Sequence, residues 1–244
     1  MKARVLMAET FLRKASIRFL HLCWLGTCAA IFLIPLPPEG WQWGGFVFAW
    51  SGCLLPLVIS AGIFGDDIAS GRIRMAVTEP IRLWEFYLYR FLGLSLQGAV
   101  HLVAAGALIL VLHRLTGRGG LNHFAAWLLA SWLIFNAWVA LSTSVSVVAR
   151  RDQNSMLVLL GTIAVVFPLY MLMLFFEDSL GTKIYHEIVR YAGPPVELLV
   201  QLGRGECSLS GYVAGVAHSL GLTVLYGAVG ILLLNKREFT YVAD

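Results

Sequence analysis

The chain has 244 residues, of which 59% are hydrophobic and only 13% charged, against about 25% charged residues in an average soluble domain. This composition excludes a water-soluble globular domain and predicts an integral membrane protein. The formal net charge of +4 comes from basic residues beside the apolar runs, where anionic lipid attracts them. We therefore expect no nucleic-acid partner and a membrane-lipid environment.

Six apolar runs approach the roughly 20 residues that a helix needs to cross a bilayer. We predict membrane spans at residues 19–36, 44–64, 91–112, 124–148, 156–176 and 212–234. The first run is long and lacks a small-residue cleavage site, so we predict a retained span rather than a signal peptide. The predicted fold is an all-α integral membrane protein with one transmembrane domain over residues 1–244.

The Lys and Arg residues lie unequally on the two sides of these spans. Thirteen of the 18 fall before the first span or after the second, fourth and sixth spans, and five fall on the other side. Positive residues favour the cytoplasmic side of a membrane. This asymmetry predicts that both termini and the segment between spans two and three face the cytoplasm.

Two further segments show helical patterns outside the spans. Residues 3–14 surround apolar positions with Lys and Arg, which predicts an amphipathic helix lying in the membrane interface. Residues 177–211 lie on the outer side and contain two short apolar patterns, interrupted at Gly193, Pro194 and Pro195. We predict two short outer helices there, resting on or dipping into the outer leaflet.

The segment "GDDIASGRIRMAVTEPIRLWEFYLYR", residues 65–90, is unusually polar. We predict that Gly65 ends the second span and that Asp66 and Asp67 begin a short amphipathic helix over residues 66–78, because carboxylates suit a helix N-terminus. Pro80 ends that helix. The chain then re-enters the membrane through interfacial aromatic and basic residues, namely Trp84, Tyr87, Tyr89 and Arg90, with Arg82 ahead of them.

The simplest interpretation of this segment is a solvated loop on the lipid headgroups. A plain connection needs only a few residues, however, whereas this one has about 26 with a helix, a proline and a second helix. Its first helix is also too weakly apolar to anchor in lipid. A helix that lies in a groove on another protein fits better.

The order of these residues resembles the transmembrane subunit of ABC transporters of the type-2 permease family. The usual pattern there is close to E-E-x-x-x-G-T-L-x-x-L-L-x-x-P-[IV]-x-R, followed by an apolar or aromatic run and a Lys. Asp66 and Asp67 stand for the acidic pair and Gly71 for the glycine. The later matches are Pro80, Ile81, Arg82 near the arginine, and Arg90 for the Lys, while the departures are Arg72, Arg74, Ala76 and Val77.

The resemblance implies a permease whose residues 66–78 form a coupling helix that inserts into a cytoplasmic ATPase. It implies two copies of that ATPase, a second copy of this chain or a similar permease, and an N-terminal elbow helix. Export across a bacterial-type inner membrane is expected, with no cofactor in this chain and with ATP and Mg on the ATPase. The implied coupling residues are Asp66, Asp67, Gly71, Arg72, Arg74, Glu79, Pro80 and Arg82.

Missing motifs argue against an enzyme. The chain contains no G-x-x-x-x-G-K-[ST], H-E-x-x-H or G-x-S-x-G pattern and no paired-cysteine motif. None of the predicted spans contains Asp or Glu in its interior, which disfavours an ion-coupled carrier. We therefore expect ATP hydrolysis on a separate subunit.

A few polar residues lie within the predicted spans. Gln97 and His101 share a helix face, and Asn136, Ser142 and Thr143 lie on the fourth span. They are candidates for lining a substrate path. Interhelical hydrogen bonding and packing is the favoured alternative, because none of them is a carboxylate.

Three other functions stay open from the sequence. A haem-exporter-like permease of cytochrome c maturation has a similar acidic pair, glycine and proline, although it usually lacks a long outer segment before the last span. A membrane anchor or assembly factor without transport would use the same segment to hold a different cytoplasmic protein. A multispan enzyme acting on lipid is disfavoured because the chain lacks an acid/base or metal cluster.

Overall fold

The computed structural model describes residues 2–15, 55–73, 82–116, 124–149, 153–176, 179–204 and 206–236. All regular structure within these ranges is helical, and they contain no strand. Residues 55–60 are helical and lead into the second of the helices named here. These helices are α1 Lys2–Ala15, α2 Ile63–Ala69, α3 Leu83–Thr116, α4 Phe124–Val148, α5 Gln153–Phe176, α6 Leu180–Ala192, α7 Glu197–Arg204 and α8 Leu209–Lys236.

Three of the described helices are long and apolar enough to cross a membrane: Leu83–Leu108 in α3, Phe124–Val148 and Leu209–Lys236. Helix α5 has a shorter apolar stretch, Gln153–Leu169. The predicted spans 91–112, 124–148, 156–176 and 212–234 therefore all fall in helices. The predicted span 19–36 and residues 44–54 of the second lie outside the described residues, so the six-span topology stays a prediction.

Helix α4 forms the centre of the described fold. It contacts α2, α3, α5, α7 and α8, and 56% of its most apolar window is buried, against 17% for α8. The surrounding core is rich in aromatic rings, including Phe64, Phe86, Tyr87, Trp127 and Phe135. The ring of Phe64 stacks on that of Tyr87 with centroids 4.9 Å apart, which fixes α2 against α3.

Helix α1 packs closely on the first turns of α3. A Cβ atom built on Gly93 would lie 2.8 Å from the Met7 carbonyl oxygen, so only glycine allows this approach. Thr10 is fully buried at the same contact. The amphipathic helix predicted at residues 3–14 is therefore present, and one face of it is covered by protein.

The prediction of one continuous helix over residues 66–78 is wrong. Helix α2 begins at Ile63 and ends at Ala69, a turn follows, and residues 72–73 are helical again. Both breaks occur at glycines with a left-handed backbone, Gly62 at φ 67° and Gly71 at φ 70°, which glycine adopts without a Cβ penalty. Gly65 lies inside α2, so the break after the second span comes at Gly62 and not at Gly65.

The prediction that residues 84–90 lie at the membrane interface stays a prediction, but two of these residues are covered by protein. Trp84 is exposed, but Tyr87 and Arg90 are buried against α1, α2 and α4. The sequence pattern did not distinguish these cases, because aromatic and basic residues serve equally at an interface and in a buried hydrogen-bonded contact.

The segment after α5 contains two short helices, α6 and α7. The side chain of Ser179 accepts a hydrogen bond from the Thr182 amide at 3.1 Å and thereby caps α6. The predicted break at Gly193, Pro194 and Pro195 separates α6 from α7. A Cβ on Gly215 of α8 would lie 2.7 Å from Leu198, so α7 packs tightly onto α8.

Candidate functional site

Six charged side chains meet at one place, which we call the charged junction; they come from α1, α2, α3 and the helical residues 72–73 that follow the turn after α2. They comprise three carboxylates and three guanidinium groups, so their formal charges balance. The members of the junction are Glu9, Arg13, Asp66, Asp67, Arg72 and Arg90.

Asp67 is the centre of the charged junction, and its side chain is fully buried. Its Oδ1 accepts a hydrogen bond from Arg13 Nη1 at 3.2 Å. Its Oδ2 lies 2.9 Å from Arg90 Nε, an ion-pair contact without the alignment of a hydrogen bond. Asp67 therefore joins α2 to both α1 and α3.

Arg90 is almost completely buried at the other side of this contact. Its Nη1 donates a hydrogen bond to Thr10 Oγ1 at 2.8 Å and lies 3.1 Å from Glu9 Oε2. Its guanidinium also stands 5.3 Å from the centre of the Phe86 ring, a cation–π distance. A buried charge with this many contacts holds its position because leaving any of them uncompensated is costly.

The outer part of the charged junction reaches the surface. Arg13 Nη2 donates to Asp66 Oδ2 at 2.7 Å, and both side chains are partly exposed. Arg72 lies 3.5 Å from Glu9 and 3.8 Å from Asp67, and about half of its side chain is exposed. These exposed pairs contribute little stability, whereas the buried pairs define the geometry.

The charge state of Asp67 depends on the arginines around it. Burial raises the pKa of the Asp67 carboxyl, and the positive charges of Arg90 and Arg13 lower it again in part. The arginines thus offset part of the desolvation cost of the carboxylate. Moving either arginine away would favour protonation of Asp67.

A second polar cluster holds the start of α2 on α4 and α5. Asn154 Oδ1 accepts a hydrogen bond from the Gly62 amide at 2.9 Å, and Asn154 Nδ2 donates to Ser142 Oγ at 3.0 Å and to the Ser60 carbonyl at 3.1 Å. Ser146 Oγ accepts from the Phe64 amide at 3.1 Å. Amides that a helix start leaves unpaired are thus satisfied by side chains of other helices.

This Asn154 cluster was missed in the sequence. Asn154 stands two residues before an apolar run, and a polar residue at that place is typical of the end of a membrane span. No motif marks it, because its partners lie 12 and more than 90 residues away along the chain. Ser142, which bonds Asn154, belongs to a run of small polar residues on α4 that indicated only helix packing.

The residues predicted to couple to an ATPase have different environments. Asp66, Asp67 and Arg72 come together in the charged junction, and Gly71 forms the left-handed turn beside them. Arg82 is exposed just before α3. Three further predicted residues, Arg74, Glu79 and Pro80, lie outside the described residues.

The residues predicted to line a path are mostly engaged in hydrogen bonds. Ser142 binds Asn154, and Thr143 Oγ1 lies 2.9 Å from the Tyr87 hydroxyl, linking α4 to α3. Gln97 Nε2 and His101 Nε2 lie 2.9 Å apart on one face of α3. Asn136 is buried, and its Oδ1 has no hydrogen-bond partner within the described ranges. A path-lining role for these residues stays a prediction.

The charged junction joins α1, α2 and α3 through ion pairs between arginines and carboxylates. The part of the chain that the structure describes contains no cluster of three His, Cys, Asp or Glu able to hold a metal ion.

Comparison with known proteins agrees with the membrane character of the fold. No curated protein matches the chain. A family model described as ABC-2 family transporter protein matches residues 5–239, nearly the whole chain, including all the described helices except the first residues of α1. The chain therefore belongs to the ABC-2 family of transporter proteins, a family of membrane transport components.

Proposed function

We propose that this chain is the permease subunit of an ATP-binding-cassette exporter, driven by two copies of a separate cytoplasmic ATPase that binds ATP and Mg. A second copy of the chain, or a similar permease, completes the translocation path. Membership of the ABC-2 family supports the permease assignment. The charged junction is the observation that supports coupling.

The segment between α2 and α3 is tied at both of its ends. Asp67 precedes it and Arg90 follows it, and these two residues contact each other at 2.9 Å. A push on this segment therefore acts on α2 and α3 together, and through Arg13 also on α1. Separating the helices would leave buried charges without their partners, at a free-energy cost of about 3–5 kcal/mol for a buried pair.

Within this proposal the predicted coupling residues divide into two roles. Asp67 is fully buried, so it positions the segment and does not contact the ATPase. Arg72 and Arg82 are exposed at the two ends of the segment and supply a cationic surface for the ATPase. A cationic rim of this kind steers association with an acidic surface.

The asymmetry of basic residues supports the orientation. The charged junction lies on the side that carries thirteen of the 18 Lys and Arg residues, which is the cytoplasmic side by the positive-inside rule. The proposed location is a bacterial-type inner membrane with both termini in the cytoplasm. Export is proposed on the resemblance of the chain to a family whose members mostly export.

The test is a charge reversal at the exposed residue Arg82. We expect Arg82→Glu to reduce recovery of the ATP-binding-cassette ATPase that is co-expressed with the chain, and to lower substrate-dependent ATP hydrolysis in the purified complex by about tenfold or more. Arg114→Glu is the matched control, because Arg114 is also an exposed arginine near an end of α3 but at its opposite end. It should leave both measurements unchanged.

Two outcomes would contradict the proposal. Equal ATPase recovery with Arg82→Glu and Arg114→Glu would show that Arg82 does not contribute to the interface with the ATPase. Recovery of a cytoplasmic protein without ATPase activity would favour the membrane-anchor alternative.

A further inference from the structure

A large cavity lies among the helices that follow α3, and none of the six residues of the charged junction lines it. Its volume is about 1000 Å³, and its walls come from α4, α5, α6, α7 and the first part of α8, with Leu57 from the helical residues ahead of α2. We call it the α5 cavity, because α5 contributes a wall that runs from Val158 to Leu169. At 1.5 Å rise per residue this wall is about 16 Å long.

The α5 cavity is apolar on its α4 and α5 walls and more polar on the walls that come from α6, α7 and α8. The α4 and α5 walls carry aliphatic and aromatic side chains, such as Trp138, Leu141 and Val158. The hydroxyl of Thr162 is already used, because it donates to the Val158 carbonyl at 2.8 Å. The polar lining groups come from α6, α7 and α8: His186, Arg190, Glu197, Gln201 and His218.

One side of the α5 cavity opens onto the apolar surface of the molecule. Leu159, Val165 and Val166 line the cavity and are each 40–45% exposed. They continue into the exposed apolar face of α5, which includes Ile163 and Phe167. The sequence predicts a membrane span over residues 156–176 of α5, and in that placement this face meets lipid, so an acyl chain can enter the cavity sideways from the bilayer.

Two charged groups in the cavity lining fit a phospholipid headgroup. Arg190 is about half exposed, and its Nη1 lies 3.6 Å from Glu187 Oε1 on its own helix, a surface pair of little strength. Glu197 of α7 also lines the cavity and carries the opposite charge, and its Oε1 accepts a hydrogen bond from Gln201 Nε2 at 3.4 Å. One cation and one anion in the lining of a largely apolar cavity match the phosphate and the amine of a zwitterionic lipid.

We propose that the α5 cavity is a lipid-binding site that holds one acyl chain of a bilayer phospholipid, with its phosphate at Arg190 and its amine at Glu197. The volume lies within the range of about 300–1000 Å³ typical of ligand sites, as does the combination of apolar walls with a few polar groups. The proposal does not depend on coupling to an ATPase. Binding can therefore be tested on the purified full chain alone.

Trp138 supplies a reporter inside the cavity. A brominated acyl chain quenches tryptophan fluorescence on contact, and Trp138 lines the apolar wall. The chain has eight tryptophans, so the signal is taken as the difference between the native protein and Trp138→Phe. The probe is phosphatidylethanolamine with dibrominated acyl chains, titrated into the full chain in detergent micelles.

Gly161 allows the cavity to be filled without disturbing the fold. A Cβ added at Gly161, which lines the cavity, would meet no atom within 4 Å. Gly161→Leu therefore places a side chain in open space and also removes a helix-interior glycine. Gly221→Leu is the matched control, since a Cβ at Gly221 in α8 also meets nothing within 4 Å and Gly221 does not line this cavity.

We expect saturable quenching of Trp138 at about one lipid per chain. Gly161→Leu should abolish the saturable part, Gly221→Leu should keep it, and Arg190→Gln should raise the half-saturating concentration about tenfold through loss of a charged hydrogen bond. Quenching that rises without saturation in the native protein overturns the proposal, as does equal quenching in the two glycine variants. Loss of a dimer on Gly161→Leu, without saturable quenching beforehand, would instead assign the cavity to a second copy of the chain.

Discussion

The charged junction and the α5 cavity share no residue and differ in how closely their helices pack. At the charged junction, the buried charges of Asp67 and Arg90 are in contact, and a Cβ on Gly93 would collide with the backbone of α1. Around the α5 cavity, a Cβ on Gly161 would meet nothing. The ion pairs of the charged junction resist separation of its helices. The α5 cavity leaves unfilled volume that a ligand can occupy.

The contrast in packing fits the two proposals, coupling at the charged junction and lipid binding in the α5 cavity. Helices that couple to a partner have to move together, and buried ion pairs favour this because breaking them leaves uncompensated charge. A region that accommodates a flexible apolar molecule needs unfilled volume and few fixed polar contacts. The following substitutions test whether the two regions differ in this way, from the largest expected effect to the smallest.

Removing the buried guanidinium of Arg90 should have the largest effect. Arg90→Met leaves Asp67 buried without its nearest cation, which should lower the free energy of unfolding by about 3–5 kcal/mol. The measurement is the midpoint of thermal unfolding in detergent, with Arg114→Met as the exposed control at about 0.5 kcal/mol or less.

The double variant Arg90→Met/Asp67→Leu keeps this test informative even if the single variant is recovered poorly. It removes both buried charges, so it should be more stable than the sum of the single losses predicts. Equal unfolding midpoints for Arg90→Met and Arg114→Met would show that the junction does not hold the helices together.

Asn154 tests whether the second polar cluster belongs to the rigid region. Asn154→Leu removes the acceptor of the buried Gly62 amide, and a buried group left without its partner costs about 1–3 kcal/mol. The same thermal measurement should show a clear loss for Asn154→Leu and almost none for the exposed control Ser210→Ala. A neutral Asn154→Leu would mean that water replaces the lost bonds, and the α2 start would then be loosely held.

A matched pair of glycine substitutions compares the two regions directly. Gly93→Ala should cost about 1–3 kcal/mol, because its methyl group meets the Met7 carbonyl and Thr10. Gly161→Ala should gain about 0.5–1 kcal/mol, since the site is open and alanine is the better helix former. Unfolding midpoints that shift in the same direction would contradict the proposed contrast in packing.

The turn at Gly71 should give the smallest loss of stability among the destabilising substitutions in these regions. Gly71→Ala is expected to cost about 1–2 kcal/mol from the left-handed backbone alone, because a Cβ there has no neighbour within 4 Å. Gly71→Asn should cost less, since asparagine tolerates this conformation better. If alanine and asparagine behave alike in thermal unfolding, the left-handed turn is not what requires glycine at this position.

Features set by local pattern were predictable from the sequence. Helix α4 spans the predicted residues 124–148 because an uninterrupted apolar run can only be helical in a membrane. The Gly193–Pro195 break was predictable because proline and glycine act on their own backbone. The boundaries of α2 were not, because a glycine inside an apolar run, such as Gly62, does not reveal whether it adopts a left-handed conformation.

The partners of the charged residues were beyond local pattern. Asp67 and Arg13 are 54 residues apart, and Asn154 and Ser60 are 94 residues apart. The residues next to either partner in the sequence therefore do not indicate which distant residue it contacts. Arg90 illustrates the same difficulty, since its sequence context is equally typical of an interfacial arginine. Helix docking decided that it is buried.

By itself the sequence determined that this protein is helical and belongs in a membrane, because composition and periodicity act through each residue's own solvation and backbone. The location of most positive charge on one side of the membrane stays a prediction from the sequence. Only the tertiary structure decided which charges neutralise one another and where volume is left empty. Both depend on how closely whole helices approach one another. At Gly93 the neighbouring helix leaves no space for a Cβ atom, whereas at Gly161 a Cβ atom would meet nothing within 4 Å.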